Sequence, residues 1–197
     1  MKILVTGFEP FAEYTENSSW AVAELLAAAH DLPVDVIIER LPVSFTITPI
    51  AFRDAVRKHN PDFVVMLGQA AKSEVIRLER VALNLMDATK PDNDGYWANE
   101  EVIDTNSPTA YISSLVNKKL LIFLKEQGFP VVISNSCGLY VCNRLHYEAL
   151  KYESENPSIK HIFIHVPLTS TLPVSLMVQV LKQVILHIIK GNCLQIK

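Results

Sequence analysis

The chain has 197 residues, of which 49% are apolar and 20% charged, with a formal net charge of −3. That length fits one domain, 1–197, able to bury a sizeable core, and the apolar content is too high for intrinsic disorder. A faintly acidic chain has no electrostatic footprint for nucleic acid, so no polyanionic partner is implied.

The first run, "KILVTGF" at 2–8, is a short apolar strand closed by Gly7 and Pro10, too short and wrongly flanked for a signal peptide or a membrane span. A helical pattern at 18–30 follows, then a strand at 34–41, a helix at 46–59 and a strand at 62–68. The segment "SEVIRLERVALN" at 73–84 alternates like one strand, and a polar, proline-bearing loop from about 87 to 108 comes after it. Loops of that length in compact domains are usually functional or disordered. Its Tyr96 and Trp97 give it enough apolar content to pack on a neighbouring subunit. The remaining pattern is a helix at 109–127, a strand at 131–136, a helix at 141–155, a strand at 161–167 and a helix at 172–190. The last is strongly apolar, but Gln179, Lys182, Gln183 and His187 interrupt it, which suits a core-packed helix better than a membrane span. Short, nearly continuous apolar strands alternating with helices predict a three-layer α/β/α sandwich on a mostly parallel, mixed sheet.

Three cysteines and no export signal point to reduced thiols and a cytoplasmic setting. In open α/β sheets ligands sit beyond the carboxyl ends of strands. Cys142 falls there, in the first turn of the helix that begins near Tyr140, where unpaired backbone N–H groups and the helix dipole favour a thiolate. Cys137 lies in the preceding turn with Gly138 and has no comparable claim. Both are also small enough to be core residues where strand meets helix. Their spacing is at the wide end of what zinc sites use, and no second pair follows, so no metal is expected.

A thiolate needs a base, and six histidines are available. His165 closes the strand "HIFIH", which puts it at the carboxyl edge where Cys142 begins its helix; His161 starts the same strand, at the opposite edge. His146 is the rival, one helical turn after Cys142. His30, His59 and His187 are remote. Glu79 shares a strand face with Val75, Arg77, Val81 and Leu83; a carboxylate among apolar neighbours needs a partner, either an imidazole or Arg77 or Arg80.

"VTGFEPF" with "NSSW", "LGQA", "LERVALN" with "PDN", "SNSCGLYVCN" and "FIHVP" occur in the order and approximate spacing of the type I pyroglutamyl peptidases, and the chain resembles that family over most of its length. The resemblance implies a phosphorylase/hydrolase-like fold and a cysteine exopeptidase that removes N-terminal pyroglutamate from peptides. It implies Cys142 as nucleophile, His165 as base and Glu79 as the acid that orients it. It also implies a lactam pocket of Phe8, Phe11, Tyr140 and Val141 with polar contacts from Asn17 and Gln69, no cofactor, and a homo-tetramer. The chain departs from the family pattern in carrying Thr89 and Lys90 before "PDN", Arg77 two residues before the acid, Cys137 for alanine and Ala12 for glycine. A catalytically weak homologue that binds such peptides without efficient turnover is the alternative.

Overall fold

The computed structural model describes residues 1–192; the third cysteine, Cys193, lies outside the described residues. In chain order the first half contains β1 (Lys2–Phe8), α1 (Ser18–Ala27), β2 (Asp35–Leu41), α2 (Ile47–His59), β3 (Phe63–Gln69), β4 (Ile76–Glu79) and β5 (Val81–Leu83). The second half contains β6 (Ala110–Ile112), α3 (Lys118–Glu126), β7 (Val131–Ser134), α4 (Val141–Glu155), β8 (Lys160–Val166) and α5 (Val174–His187).

Six strands form one sheet in the order β2-β1-β3-β8-β4-β7. The first four run parallel; β4 pairs antiparallel with β8 and parallel with β7, so β4 and β7 both run against the rest. Strand alternation separates two apolar layers. Ile3, Val5, Phe63, Val65, Leu67, Leu78, Ile162 and Ile164 face α1, α3 and α5. Leu4, Val64, Met66 and Phe163 face α2 and α4 through Phe52, Val56, Val141, Leu145 and Ala149. The sandwich on a mixed sheet is as the sequence predicts. Residues 174–191 are long and apolar enough to cross a membrane by composition alone, but here Val180, Leu181, Val184 and Ile185 are fully buried in the first of these layers.

Three expectations need correction. The single strand at 73–84 is two: the chain leaves the sheet at Arg80, whose carbonyl accepts from Ser113 N, and β5 pairs with β6 in a separate antiparallel hairpin. The helix predicted over 109–127 starts only at Lys118, where the Asn117 side chain accepts from Leu120 N and caps it; residues 110–112 are β6. Finally, β7 runs antiparallel to β8, with Ser134 level with Glu79 and Glu79 level with Phe163, so its carboxyl end points away from His165. Cys142 reaches His165 because residues 135–140 turn back through Gly138, at φ 82°, before α4 starts. A left-handed turn of that kind suits glycine.

Candidate active site

The face of the sheet covered by α4 places the titratable groups. His165 and Phe163 lie on it in β8, and the antiparallel register sets Arg77 opposite His165 and Glu79 opposite Phe163. Glu79 is fully buried, and its Oε1 accepts from His165 Nδ1 at 2.9 Å. The same oxygen accepts from Arg77 Nε at 3.1 Å. Two of the three partners the sequence offered for this carboxylate are therefore present, while Arg80 turns to Asn135 Oδ1 at 2.9 Å. Burial alone would raise the Glu79 carboxyl, but the hydrogen bond and charge of His165 hold it below the ordinary carboxylate range.

Burial likewise acts to lower His165, yet the charge and hydrogen bond of Cys142, joined by those of Glu79, push it up to about 9. At neutral pH the imidazole is therefore a cation lying between a carboxylate and a sulfur. Gly68 of β3, paired with His165, makes room for that ring. A Cβ on Gly68 would stand 2.8 Å from His165 Cδ2 and 2.9 Å from its Nε2. This gives the glycine of "LGQA" a steric cause.

Cys142 is the second residue of α4. Tyr140 caps the helix with no side-chain hydrogen bond. Among the described residues the backbone N–H groups of Val141 and Cys142 have no backbone or side-chain acceptor, while Asn143 N and Arg144 N both turn back to Tyr140 O. Cys137 stands apart. Its sulfur lies 3.6 Å from Asn143 Oδ1 and 3.9 Å from His146 Nδ1. Burial and the Glu79 charge push its thiol well above the usual value. His146 is fully buried, packed on the Phe163 ring at 5.4 Å, and burial drives it down to about 3.

Phe8, Phe11, Asn17, Gln69, Tyr140 and Val141 line one small cavity together with Cys142. Val43, two residues past the end of β2, joins them and was missed from the sequence; its position beyond a strand's carboxyl end was the available signal. Asn17 caps α1, accepting from Ser19 N at 3.1 Å and Ser19 Oγ at 2.7 Å, and donates to Glu9 O at 2.9 Å. Gln69 Oε1 accepts from Ser18 N at 2.8 Å and Ser18 Oγ at 3.1 Å, which leaves its buried Nε2 without a protein partner.

The "PDN" segment holds one wall. Asp92 accepts from Phe45 N at 2.8 Å and Tyr96 N at 2.8 Å, Asn93 donates to Pro10 O at 2.9 Å, and Pro91 O accepts from Tyr140 Oη at 2.9 Å. These structural partners were not read from the sequence. Lys90 lies over the Phe11 ring at 4.8 Å and does not line the cavity; Thr89 is exposed. Among the described residues no group of three or more His, Cys, Asp or Glu is placed to hold a metal ion.

Known proteins are similar to this chain in sequence and in architecture. The sequence pattern of the pyroglutamyl peptidase family matches residues 1–185. The pyrrolidone-carboxylate peptidase of Bacillus subtilis is 38% identical over 167 residues, 84% of this chain and 78% of that protein. The crystal structure of Bacillus amyloliquefaciens pyroglutamyl peptidase I superposes with a TM-score of 0.86 at 34% identity, covering 93% of this chain and 94% of that one. A structure of pyrrolidone carboxyl peptidase from the hyperthermophile Pyrococcus furiosus gives a TM-score of 0.89 at 31% identity over 98% of this chain and 100% of that one. The chain therefore belongs to the pyroglutamyl peptidase family and is a hydrolytic enzyme of it.

Proposed function

We propose that the chain removes N-terminal pyroglutamate from peptides by acyl transfer through Cys142, His165 and Glu79. The observation that carries this reading is the position of Cys142, which lines both the small apolar cavity and the open cleft that contains His165. A neutral five-membered lactam suits an enclosure walled by Phe8, Phe11 and Val141, because such walls penalise an unpaired charge. The free Gln69 Nε2 supplies a donor for the lactam carbonyl.

In the reaction the Cys142 sulfur attacks the carbonyl carbon of the pyroglutamyl residue, and the oxygen becomes an oxyanion. Unpaired N–H groups at the start of α4 are the donors nearest the sulfur in sequence, and they cost no reorganisation when that charge appears. The C–N bond then breaks, and the leaving amine takes the proton held by His165. Water, deprotonated by the now neutral His165, attacks the thioester; pyroglutamate leaves and the sulfur is regenerated. Glu79 fixes the ring orientation and supports its charge throughout.

A binder with slow turnover is the second reading, and Arg77 favours it: its guanidinium shares the carboxylate oxygen that orients His165. The two separate by release of a reporter amine from a pyroglutamyl conjugate, measured before and after thiol alkylation. Turnover abolished by alkylation supports the peptidase. Saturable binding of the conjugate with no amine release from untreated protein supports the binder.

A further inference from the structure

The Cys142 sulfur stands at the border of two hollows that differ in size and charge. The smaller is walled mainly by apolar side chains and has no aspartate, glutamate, lysine, arginine or histidine in its lining. The larger shares Phe11, Gln69, Tyr140 and Cys142 with it and continues past His165 to Lys72 and Arg77. If the pyroglutamyl ring fills the first, the residue after it leaves through the second, since His165, which protonates the departing amine, lines only the second.

That exit is cationic. No aspartate or glutamate lines it, whereas Lys72 and Arg77 do. Arg77 is held rigidly: Nη2 donates to Ser134 Oγ at 2.7 Å and Ser136 O at 3.1 Å, and Nε donates to Glu79. Its Nη1 has no hydrogen bond among the described residues, and the side chain is 37% exposed. Glu79 answers only part of the Arg77 charge, because the same oxygen serves His165. With His165 protonated, three cations face one buried carboxylate and one sulfur, so positive charge is left over.

We propose that this larger hollow is a subsite for a carboxylate on the leaving group. The carboxylate is supplied either by the side chain of an acidic residue directly after pyroglutamate or by the free α-carboxylate of a pyroglutamyl dipeptide. The assignment rests on the peptidase reading above. Arg77 and Lys72 set the preference, Arg77 as a pre-positioned fork and Lys72 as a flexible, solvated charge.

The test compares kcat/KM on three substrates: pyroglutamyl-glutamate amide, pyroglutamyl-glutamine amide and the free acid of pyroglutamyl-glutamine. At low salt one or both carboxylate-bearing substrates should exceed the neutral amide by roughly twofold to fivefold, as expected for a partly exposed ion pair. Which of them does so identifies the source of the carboxylate. The advantage should shrink toward unity at about 0.5 M salt, where screening is strong. It should also disappear in the double variant Lys72→Gln/Arg77→Gln. Arg77 touches Glu79 and Lys72 lines the hollow, so both variants are read as the ratio between substrates. Equal kcat/KM on all three, or a preference that survives the double substitution, would overturn the subsite while leaving the peptidase intact. No turnover on any of the three would sink the peptidase reading, and this inference with it.

Discussion

Strand β8 carries two histidines on one face, and each has a glutamate. At one end His161 Nδ1 lies 3.4 Å from Glu153 Oε2; at the other His165 Nδ1 lies 2.9 Å from Glu79 Oε1. His161 is fully buried and His165 is 6% exposed, yet their protonation diverges. Burial lowers His161 despite its glutamate, while His165 rises to about 9. The rest of the His161 ring faces Phe52 and Tyr152, and its Nε2 has no partner. Cys142 and an open cleft lie beside His165. A buried histidine–carboxylate pair is thus common ground between a packing device and a reactive centre. What separates them is the group on the far side of the ring.

The largest expected effect breaks the comparison directly. Cys142→Ser and His165→Ala should each lower kcat on a pyroglutamyl reporter by about three orders of magnitude or more, and the double variant should be scarcely worse than either, because the pair acts as a unit. His161→Ala should leave kcat within about twofold while costing roughly 2 kcal/mol or more of stability through the cavity it leaves. Steady-state kinetics with denaturant melts on the same samples check both. A dead, folded His161→Ala enzyme with an active His165→Ala one would reverse the assignment.

The glutamates should follow their histidines with smaller amplitude. Glu79→Gln removes the charge that supports the imidazolium, and a loss of about 10- to 100-fold in kcat is expected, the range seen when a partner that only orients a functional group is removed. Glu153→Gln should change kcat little. It removes a carboxylate that also accepts from Lys160 at 2.9 Å and His161 N at 3.1 Å, so its effect belongs in the melting temperature. Comparable kcat losses in the two variants would mean that the two ends of β8 are not distinct.

The two ends also predict opposite pH dependences. For His165 the folded value, about 9, lies above the ordinary 6.5, so its contribution to stability is complete below about 6.5 and is lost as pH rises through 9. For His146, at about 3, and for His161, shifted in the same direction, the unfolded chain binds more protons below 6.5, so stability falls as pH drops below that value. Melting curves across the range should show both limbs. Cys142→Ser, which removes the sulfur charge raising His165, should flatten the alkaline limb alone; an unchanged alkaline limb would mean that Cys142 is not the group holding the imidazole.

How much of the fold and of the site is legible in the sequence follows from what each feature depends on. Strands β1, β3 and β8 are apolar runs of unmistakable length, and the six pocket residues fall beside strand ends or helix starts carried by the matching motifs. The reversal of β4 and β7 is not legible, because a short apolar strand reads the same in either direction. The break at Arg80 is hidden because apolar residues resume directly after it, from Val81 to Leu83. The hairpin strand β6 reads as helix because Ala110, Tyr111 and Ile112 run into an apolar pattern that becomes helical only after Asn117. Asp92 looks like an ordinary loop aspartate; its partner Phe45 N is 47 positions away, a separation no local pattern registers.

The smallest expected effect is at Cys137, and it sharpens the contrast between two cysteines five positions apart. Cys142 is at an uncapped helix start beside a cationic imidazole, whereas Cys137 is in the turn, its thiol raised by burial and the Glu79 charge. Its sulfur touches Asn143, whose amide ties α4 to β5 through Leu83 N at 2.9 Å and Leu83 O at 2.8 Å, so the contact is a packing one. Cys137→Ala removes a single heavy atom and should cost about 1 kcal/mol or less, with kcat within about twofold. His146→Leu, a neighbour of that sulfur, removes a buried ring nitrogen that has no partner, so it should be close to neutral in stability at pH 7 and leave turnover intact. If instead Cys137→Ala abolished alkylation-sensitive turnover in a folded protein, the nucleophile would sit in the turn and His146, not His165, would be its base.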